Sequence, residues 1–205
     1  MDKMKIIFIV ILGITILLVS LKIFFKSDNK NNITGNNKNI KEIEEYFLNI
    51  SSYKAKLDIN IKSNKNENNY KIYQEVKGVD YCYQRLDEPE NVKGMEFIYQ
   101  NGSLEIKNTE ISASKIYQNY PYITNNYLFI TDFFDKYRNS NQKEIKEQND
   151  KIIMQCENTE KTNKYNTKQI LTINKDELKP EKLEIIDVNN NCRVYILYNE
   201  IEFNI

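Results

Sequence analysis

MEFIYQNGSLEI, residues 95–106, decides the fold class of this chain, because two alternating segments flank an Asn-Gly pair. Asn101 and Gly102 suit a type I′ turn, which requires positive φ at both central residues and joins two neighbouring antiparallel strands. Alternation of apolar and polar side chains is the pattern of a strand with one buried face. We therefore predict a β-hairpin at this position.

Alternation with a period of two continues on both sides of this hairpin. In residues 53–61, YKAKLDINI, every odd position is apolar or aromatic and every even position is polar, as in a strand between core and water. Similar segments lie near residues 70–76, 81–86, 152–156, 171–173, 183–185 and 192–205. We expect eight to ten strands with short turns. They should form an antiparallel meander that curls around a helix, because a flat sheet of this size would bury too little.

Two segments follow the period of an α-helix instead. In residues 40–50 the apolar side chains recur at helical spacing, and Asn39 is suited to be the N-cap. Residues 108–141 interrupt the strand pattern, and a helix with a broad apolar face is expected from about Asn126 to Arg138. Strands and helices together predict an α+β fold class.

Residues 108–141, here called the aromatic insert, are also the candidate binding segment. The side chains predicted to contact a ligand or a protein partner are Tyr127, Leu128, Phe129, Phe133, Phe134 and Tyr137. An apolar helix face of this kind ordinarily packs against a sheet. The alternative is that the insert caps a hydrophobic cleft.

The chain begins with a segment suited to a membrane. An apolar run from Ile6 to Phe25, interrupted only by Lys22, has the roughly 20 residues that a helix needs to cross a bilayer. The residues predicted to form this anchor are Ile6, Phe8, Ile11, Leu17, Leu18, Phe24 and Phe25. No small residues precede a cleavage site, so an uncleaved transmembrane helix is favoured over a cleaved signal peptide.

This segment sets the expected domain organisation. We expect the anchor at residues 1–26, an Asn-rich flexible linker at 27–39 and one α+β domain at 40–205. Lysines flank both ends of the apolar run, so the positive-inside rule does not fix its orientation. Because the basic start resembles a secretion signal, we expect the domain on the extracytoplasmic side, at the cell wall or in the forespore intermembrane space.

Composition excludes several classes of function. Lys plus Arg and Asp plus Glu both number 29, so no net charge draws the chain to nucleic acid. Histidine is absent, which removes Ser-His-Asp and Cys-His catalysis and His-containing zinc sites. No cofactor is expected, and an enzyme is the least favoured class of protein. The abundance of Lys, Asn, Ile and Tyr favours a low-GC Gram-positive bacterium.

Three further patterns have plain structural interpretations. Residues 187–191, DVNNN, begin like a calcium loop, but Cys192 and Tyr198 occupy the positions of the required Gly and Glu, so a hairpin turn is predicted. The carboxylates of residues 87–90, DEPE, flank a proline and predict a solvated turn. The cysteines are far apart in the chain and are interpreted as small apolar residues on strands: Cys82, Cys156 and Cys192.

The order of these elements resembles the LolA/LolB-like superfamily. The resemblance is carried by residues 52–59, SYKAKLDI, by 98–102, IYQNG, and by 178–187, LKPEKLEIID, where a proline precedes a late strand. It covers about residues 40–205 and implies a half-barrel, a curved antiparallel sheet wrapped around one or two helices. Among Gram-positive members, the chain is similar to the GerS-like germination lipoproteins of clostridia, membrane-tethered proteins that assist a cortex-modifying amidase. It lacks their lipid-attachment cysteine.

These observations predict a membrane-anchored, non-catalytic binding module. The resemblance implies a role in sporulation or germination and a cell-wall (cortex) amidase as the protein partner. The sheet could bind it through an exposed strand edge or through the aromatic insert. The alternative function is a carrier or sensor of lipid or lipoprotein acyl chains, held in a cleft between sheet and helices.

Overall fold

The computed structural model describes residues 38–120, 126–158 and 163–204. The anchor predicted at residues 1–26 and nearly all of the linker predicted at 27–39 lie outside the described residues. Within these ranges, neither helix is long and apolar enough to cross a membrane.

One open, curved, antiparallel sheet of eleven strands dominates the described part of the chain. The strands are β1 (Ser52–Lys62), β2 (Glu67–Lys77), β3 (Tyr81–Glu88), β4 (Met95–Gln100), β5 (Ser103–Asn108), β6 (Ala113–Tyr117), β7 (Lys143–Gln148), β8 (Lys151–Glu157), β9 (Lys168–Asn174), β10 (Lys179–Ile186) and β11 (Cys192–Phe203). Their order across the sheet is β6-β5-β4-β3-β2-β1-β11-β10-β9-β8-β7, so the first strand pairs with the last. Strands β6 and β7 are the two edges.

Two α-helices, α1 (Ile40–Leu48) and α2 (Ile130–Asn139), and a short 3₁₀ helix, Glu90–Val92, lie in the described part of the chain. Asn39 is the N-cap of α1: its side chain accepts from the backbone of Glu42, whose carboxylate accepts from the backbone N–H of Asn39. Helix α2 begins four residues later than predicted, because Asn126 forms a turn in which its Oδ1 accepts from the N–H of Leu128.

The core lies between the helices and one face of the sheet. On β1, the odd-numbered side chains from Tyr53 to Ile59 are buried, and they alternate with exposed or half-buried polar ones. They belong to the same apolar cluster as Ile43 and Phe47 of α1 and Phe133 of α2. Each fully buried side chain of this size contributes about 1.5–3 kcal/mol relative to an exposed one.

The hairpin prediction is confirmed. Asn101 and Gly102 have φ values of 48° and 78°, as a type I′ turn requires, and Gln100 pairs with Ser103 across it. The expected α+β class with a curved antiparallel sheet is confirmed as well.

The predicted strand count and the simple meander are wrong. The described residues form eleven strands rather than eight to ten, and two meanders, β1–β6 and β7–β11, meet where β1 pairs with β11. The extra strands are edge strands. All five residues of β6, ASKIY, are exposed, and β7, KEIKEQ, is mostly charged, so neither shows the alternation of a half-buried strand.

Candidate partner-binding site

The aromatic insert supplies much of the core. Of the six side chains predicted to bind a ligand or partner, four are buried, and two, Tyr127 and Leu128, are half-buried against the core cluster. The buried four are Phe129, Phe133, Phe134 and Tyr137. The ring centroid of Phe133 lies 5.8 Å from that of Phe134 and 5.9 Å from that of Tyr137. These side chains pack against the sheet, as an apolar helix face ordinarily does, rather than lining an open cleft. Their contact with a ligand or partner stays a prediction.

Buried polar contacts tie the insert to the sheet. Tyr53 of β1 donates from its hydroxyl to Oε1 of Gln74 on β2, at 2.9 Å. Gln74 is fully buried, and its Nε2 donates at 3.1 Å to the carbonyl oxygen of Leu128. Because a buried amide must satisfy its donor and acceptor, this pair fixes the segment before α2 over the middle of the sheet.

A second polar contact joins the two helices. The hydroxyl of Tyr137 on α2 donates at 2.9 Å to a carboxylate oxygen of Glu44 on α1. Burial and this carboxylate raise the pKa of Tyr137 well above its usual range, so the hydroxyl keeps its proton and remains a donor. The helices therefore act as one layer over the sheet.

Exposed apolar and aromatic side chains lie at the β6 edge, with Ile116 on one face of the strand and Tyr117 on the other. We call Ile111, Lys115, Ile116, Tyr117 and Tyr120 the β6 surface. Ile111 is 72% exposed and Ile116 57%. The rings of Tyr117 and Tyr120 lie 6.3 Å apart, and the Lys115 Nζ lies 4.9 Å from the Tyr117 ring centre. Exposed apolar groups at a strand edge that pairs with no described strand are typical of a site where another chain binds.

The opposite edge is built differently. On β7, Glu144 pairs with Lys146 at 3.5 Å, and Glu147 pairs with Lys175 at 2.6 Å. Charged side chains on an edge strand oppose pairing with another chain, because the pairing would remove them from water. Among the described residues, β6 is the edge that combines backbone groups facing no other strand with exposed apolar side chains.

The outward face of the sheet mixes ion pairs with half-buried aromatic side chains. Lys56 pairs with Glu200 at 2.9 Å, and the rings of Tyr73 and Tyr83 lie 6.0 Å apart. An open depression of about 270 Å³ lies over β1, β2 and β11, and its lining includes the Lys71–Glu88 ion pair, 2.8 Å long. The ion pairs keep charged groups of this face in contact with water.

Residues 187–191 form the predicted turn, whereas in residues 87–90 Asp87 and Glu88 end β3 and Glu90 begins a short 3₁₀ helix, Glu90–Val92, so the turn predicted there is wrong. Burial would raise the pKa of Asp187, but hydrogen bonds from Asn191 and Arg193, and one from the Asn189 backbone, outweigh it and lower the pKa to about 2. Asn189 and Asn191 belong to the turn between β10 and β11 and Arg193 to the start of β11, so the carboxylate serves to close that turn. The acids of residues 87–90 form separate surface ion pairs: Asp87 with Arg85, Glu88 with Lys71, and Glu90 with Lys93.

The cysteines lie on strands. Cys82 of β3 and Cys156 of β8 are buried, and burial raises the pKa of the Cys82 thiol to about 11 and that of Cys156 to about 12. Cys192, at the start of β11, is half-buried, and burial raises its pKa as well. A thiol with a raised pKa is a weak nucleophile, so these residues act as small apolar groups.

Sequence patterns did not identify the β6 surface. Tyr117 and Tyr120 belong to the aromatic insert, but only Tyr127 to Tyr137 were predicted to bind. The sequence feature that could have indicated this surface is the pentapeptide ASKIY. It has apolar residues on both faces of a strand and a single charged residue. Its position at an edge depends on pairing with β5, which is a property of the whole sheet.

Proteins similar to this chain are found among solved structures. No family model matches the chain, and no curated protein matches it. Among solved structures, it is similar to a chain in the structure of the CwlD amidase from Clostridioides difficile in complex with the GerS lipoprotein. The identity is 26% and the TM-score 0.51, over 80% of this chain and 93% of that one.

A second similar structure is that of a LolA superfamily protein from Nitrosomonas europaea. The identity is 12% and the TM-score 0.40, over 82% of this chain and 94% of that one. The first of these comparisons confirms the resemblance to GerS-like proteins that the sequence predicts.

Proposed function

We propose that this chain is a membrane-anchored, non-catalytic binding module that acts on the extracytoplasmic side of the membrane and supports a cell-wall (cortex) amidase during sporulation or germination. The observation that carries this proposal is the similarity to a chain in the complex of an amidase with the GerS lipoprotein. Among Gram-positive members of the LolA/LolB-like superfamily, the sequence resembles the GerS-like proteins, so we take GerS to be the counterpart of this chain.

The proposal places the partner at the β6 surface. A partner that binds there can cover Ile116 and Tyr117, which are exposed to water, without disturbing the core. Within the aromatic insert, α2 is less suited to a direct contact, because Phe133 and Phe134 are already buried by the sheet and by α1. Binding at their side chains would first require α2 to move away from the sheet.

The apolar run from Ile6 to Phe25 supports the membrane part of the proposal. In GerS-like proteins, as the resemblance implies, a lipid anchors the domain, and here a transmembrane helix would replace that lipid. Tethering raises the local concentration of a binding module near a partner at the same surface, so modest affinity is enough. Protease treatment of protoplasts tests this orientation, because an extracytoplasmic domain is digested whereas a cytoplasmic one is protected.

Co-purification tests the partner. The tagged full-length chain is expressed in sporulating cells of the source bacterium, extracted in mild detergent and analysed for a bound cell-wall amidase. We expect the wild type to retain the amidase, and Ile116→Asp to lose it, because a charge in the apolar contact is costly to bury. Glu147→Ala on the exposed β7 edge is the control and should retain the amidase. Ile145→Asp on the same strand would disturb folding, because Ile145 packs against the core.

Two further measurements on the same preparation separate the other functions. A carrier of acyl chains would bind a fluorescent fatty-acid analogue and would not retain an amidase. A catalytic protein would hydrolyse purified peptidoglycan without the partner. Either result, in the absence of co-purification, would show that the proposed function is wrong.

A further inference from the structure

We propose that β6 binds its partner by strand addition: an extended segment of the partner pairs antiparallel with β6 as a twelfth strand, and this segment carries an apolar, an acidic and a polar residue in succession. The inference rests on the proposed function and specifies its binding mode and the chemistry of the partner. It follows from the register of the sheet, from the side chains of β6 and from the charge of Lys115.

The register determines which backbone groups are free. Across the type I′ turn, Gln100 and Ser103 form the hydrogen-bonded pair that closes a two-residue hairpin, so the pair Tyr99–Leu104 is not hydrogen-bonded. The N–H and C=O of Leu104 therefore point away from β4, towards Tyr117 on β6.

The backbone groups of β6 alternate between its two sides. Ala113, Lys115 and Tyr117 use theirs to pair with β5. Ser114 and Ile116 direct theirs to the other side of the strand, towards the free edge in the plane of the sheet. No strand lies on that side among the described residues, since β6 is the last strand of the order. Two residues, spaced as an extended peptide requires, thus offer two donors and two acceptors.

The side chains determine what the added strand should contain. Ser114 and Ile116 lie on the outward face, where the Ser114 hydroxyl donates to Glu105 at 2.8 Å. Lys115 and Tyr117 lie on the inner face, in register with the half-buried Ile106 and with the core residue Leu104. An added strand therefore needs an apolar residue opposite Ile116 and a polar residue opposite Ser114.

Lys115 sets the charge of the residue between them. That residue faces Lys115 in a pair without backbone hydrogen bonds, where side chains come closest. Within the described residues Lys115 forms no ion pair, and its ammonium group lies over the ring of Tyr117. A carboxylate opposite it would neutralise this charge. In antiparallel orientation, the partner sequence runs from an apolar residue through Asp or Glu to a polar residue.

A second copy of this chain fits the edge less well. The register that pairs the outward groups of Ser114 with those of Ile116 in another copy places Lys115 opposite Lys115. Like charges directly opposite each other destabilise a strand pair, so the charge on β6 favours an acidic partner over another β6 strand.

Proline substitution tests the backbone part of the inference. Ile116→Pro removes an N–H that faces the free edge and leaves the pairing with β5 intact, because that N–H is not used there. Glu147→Pro is the matched control. It lies next to the type I′ turn at Asn149 and Asp150, whose register directs the Glu147 N–H to the free side of β7.

A labelled peptide containing Leu-Val-Glu-Thr is the probe, and its fluorescence anisotropy is measured with the detergent-solubilised full-length chain. We expect the wild type and Glu147→Pro to bind the peptide, and Ile116→Pro to bind it about tenfold more weakly, the effect of one lost backbone hydrogen bond. Hydrogen exchange at Ser114 and Ile116 should slow on binding, whereas exchange at Lys115 should not change.

Charge exchange tests the acidic residue. Replacing Glu by Lys in the peptide should weaken binding to the wild type by about two- to fivefold, the size of one cross-strand charge pair. Lys115→Glu should reverse the preference, so that the Lys peptide binds more tightly. An unchanged preference would show that Lys115 does not select the partner.

The failures of the two proposals are distinguishable. If the wild type and Ile116→Pro bind the peptide equally, or neither binds it, strand addition is wrong, and co-purification of the amidase with the wild type decides the proposed function separately. If Ile116→Pro instead dissociates a dimer of the chain, the occupant of the edge is a second copy and the inference is overturned. Wild-type retention of the amidase with loss in Ile116→Pro would support both proposals.

Discussion

Replacement of Phe133 by alanine distinguishes a closed core from a cleft under α2. The Phe133 side chain is fully buried and contacts two other rings, those of Phe134 and Tyr137. Truncation of a buried Phe to Ala costs about 3–5 kcal/mol, including the cavity that remains. Because each aromatic pair adds about 0.5–1.5 kcal/mol beyond its buried area, we expect a loss near 4 kcal/mol.

Urea unfolding of residues 34–205, followed by far-UV circular dichroism, measures this loss. These residues form one unit by themselves. With a slope of about 2 kcal/mol per molar urea, a loss of 4 kcal/mol lowers the unfolding midpoint by about 2 M. Tyr120→Ala is the control. It removes a ring that is 38% exposed, so its effect should stay within about 0.5 kcal/mol.

A small effect of Phe133→Ala would refute a closed core. A midpoint lowered by less than about 0.5 M, with an unchanged slope, would mean that the ring does not fill space between α2 and the sheet. A gain in fatty-acid binding by the same variant would then favour the carrier function, since the removed ring would have opened a cleft.

Three further changes test individual contacts. Burial alone would raise the pKa of Asp187, but hydrogen bonds to its carboxylate outweigh this effect and lower the pKa from 3.8 to about 2. The ionised carboxylate therefore stabilises the fold fully above about pH 4, and this stabilisation is lost as the pH falls towards 2. Asp187→Asn should remove this part of the acid sensitivity of Tm. Tyr137→Phe should lower the free energy of unfolding by about 1–3 kcal/mol, because Glu44 loses its donor. Asn39→Ala should cost about 1 kcal/mol in urea unfolding, the effect of a lost N-cap.

Local patterns were enough to predict the elements that build the core. The Asn101-Gly102 pair fixed a hairpin because its turn requires positive φ at both residues, which few other pairs accept. Asn39 marked the start of α1 because its side chain can accept from Glu42 three residues later. In both cases the determining contact lies within a few residues of the chain.

The sheet order and the candidate site depend on contacts between distant residues. Nothing local to β1 indicates that it pairs with β11, where Tyr53 lies opposite Phe203. In the same way, Tyr117 and Phe133 are both aromatic and both belong to the insert, yet one is exposed and the other buried. Which of them meets the core depends on where the sheet ends.

The aromatic insert serves the core and the β6 edge with different residues. β6 and β7 lie at opposite ends of the strand order, and α2 lies between them in the chain. Helix α2 buries its apolar face against the inner face of the sheet, over strands that include β8, and Gln74 holds the carbonyl oxygen of Leu128 there. The buried aromatic side chains from Phe129 to Tyr137 thus complete the core, whereas Tyr117 stays exposed on β6, a strand whose second side pairs with no strand among the described residues.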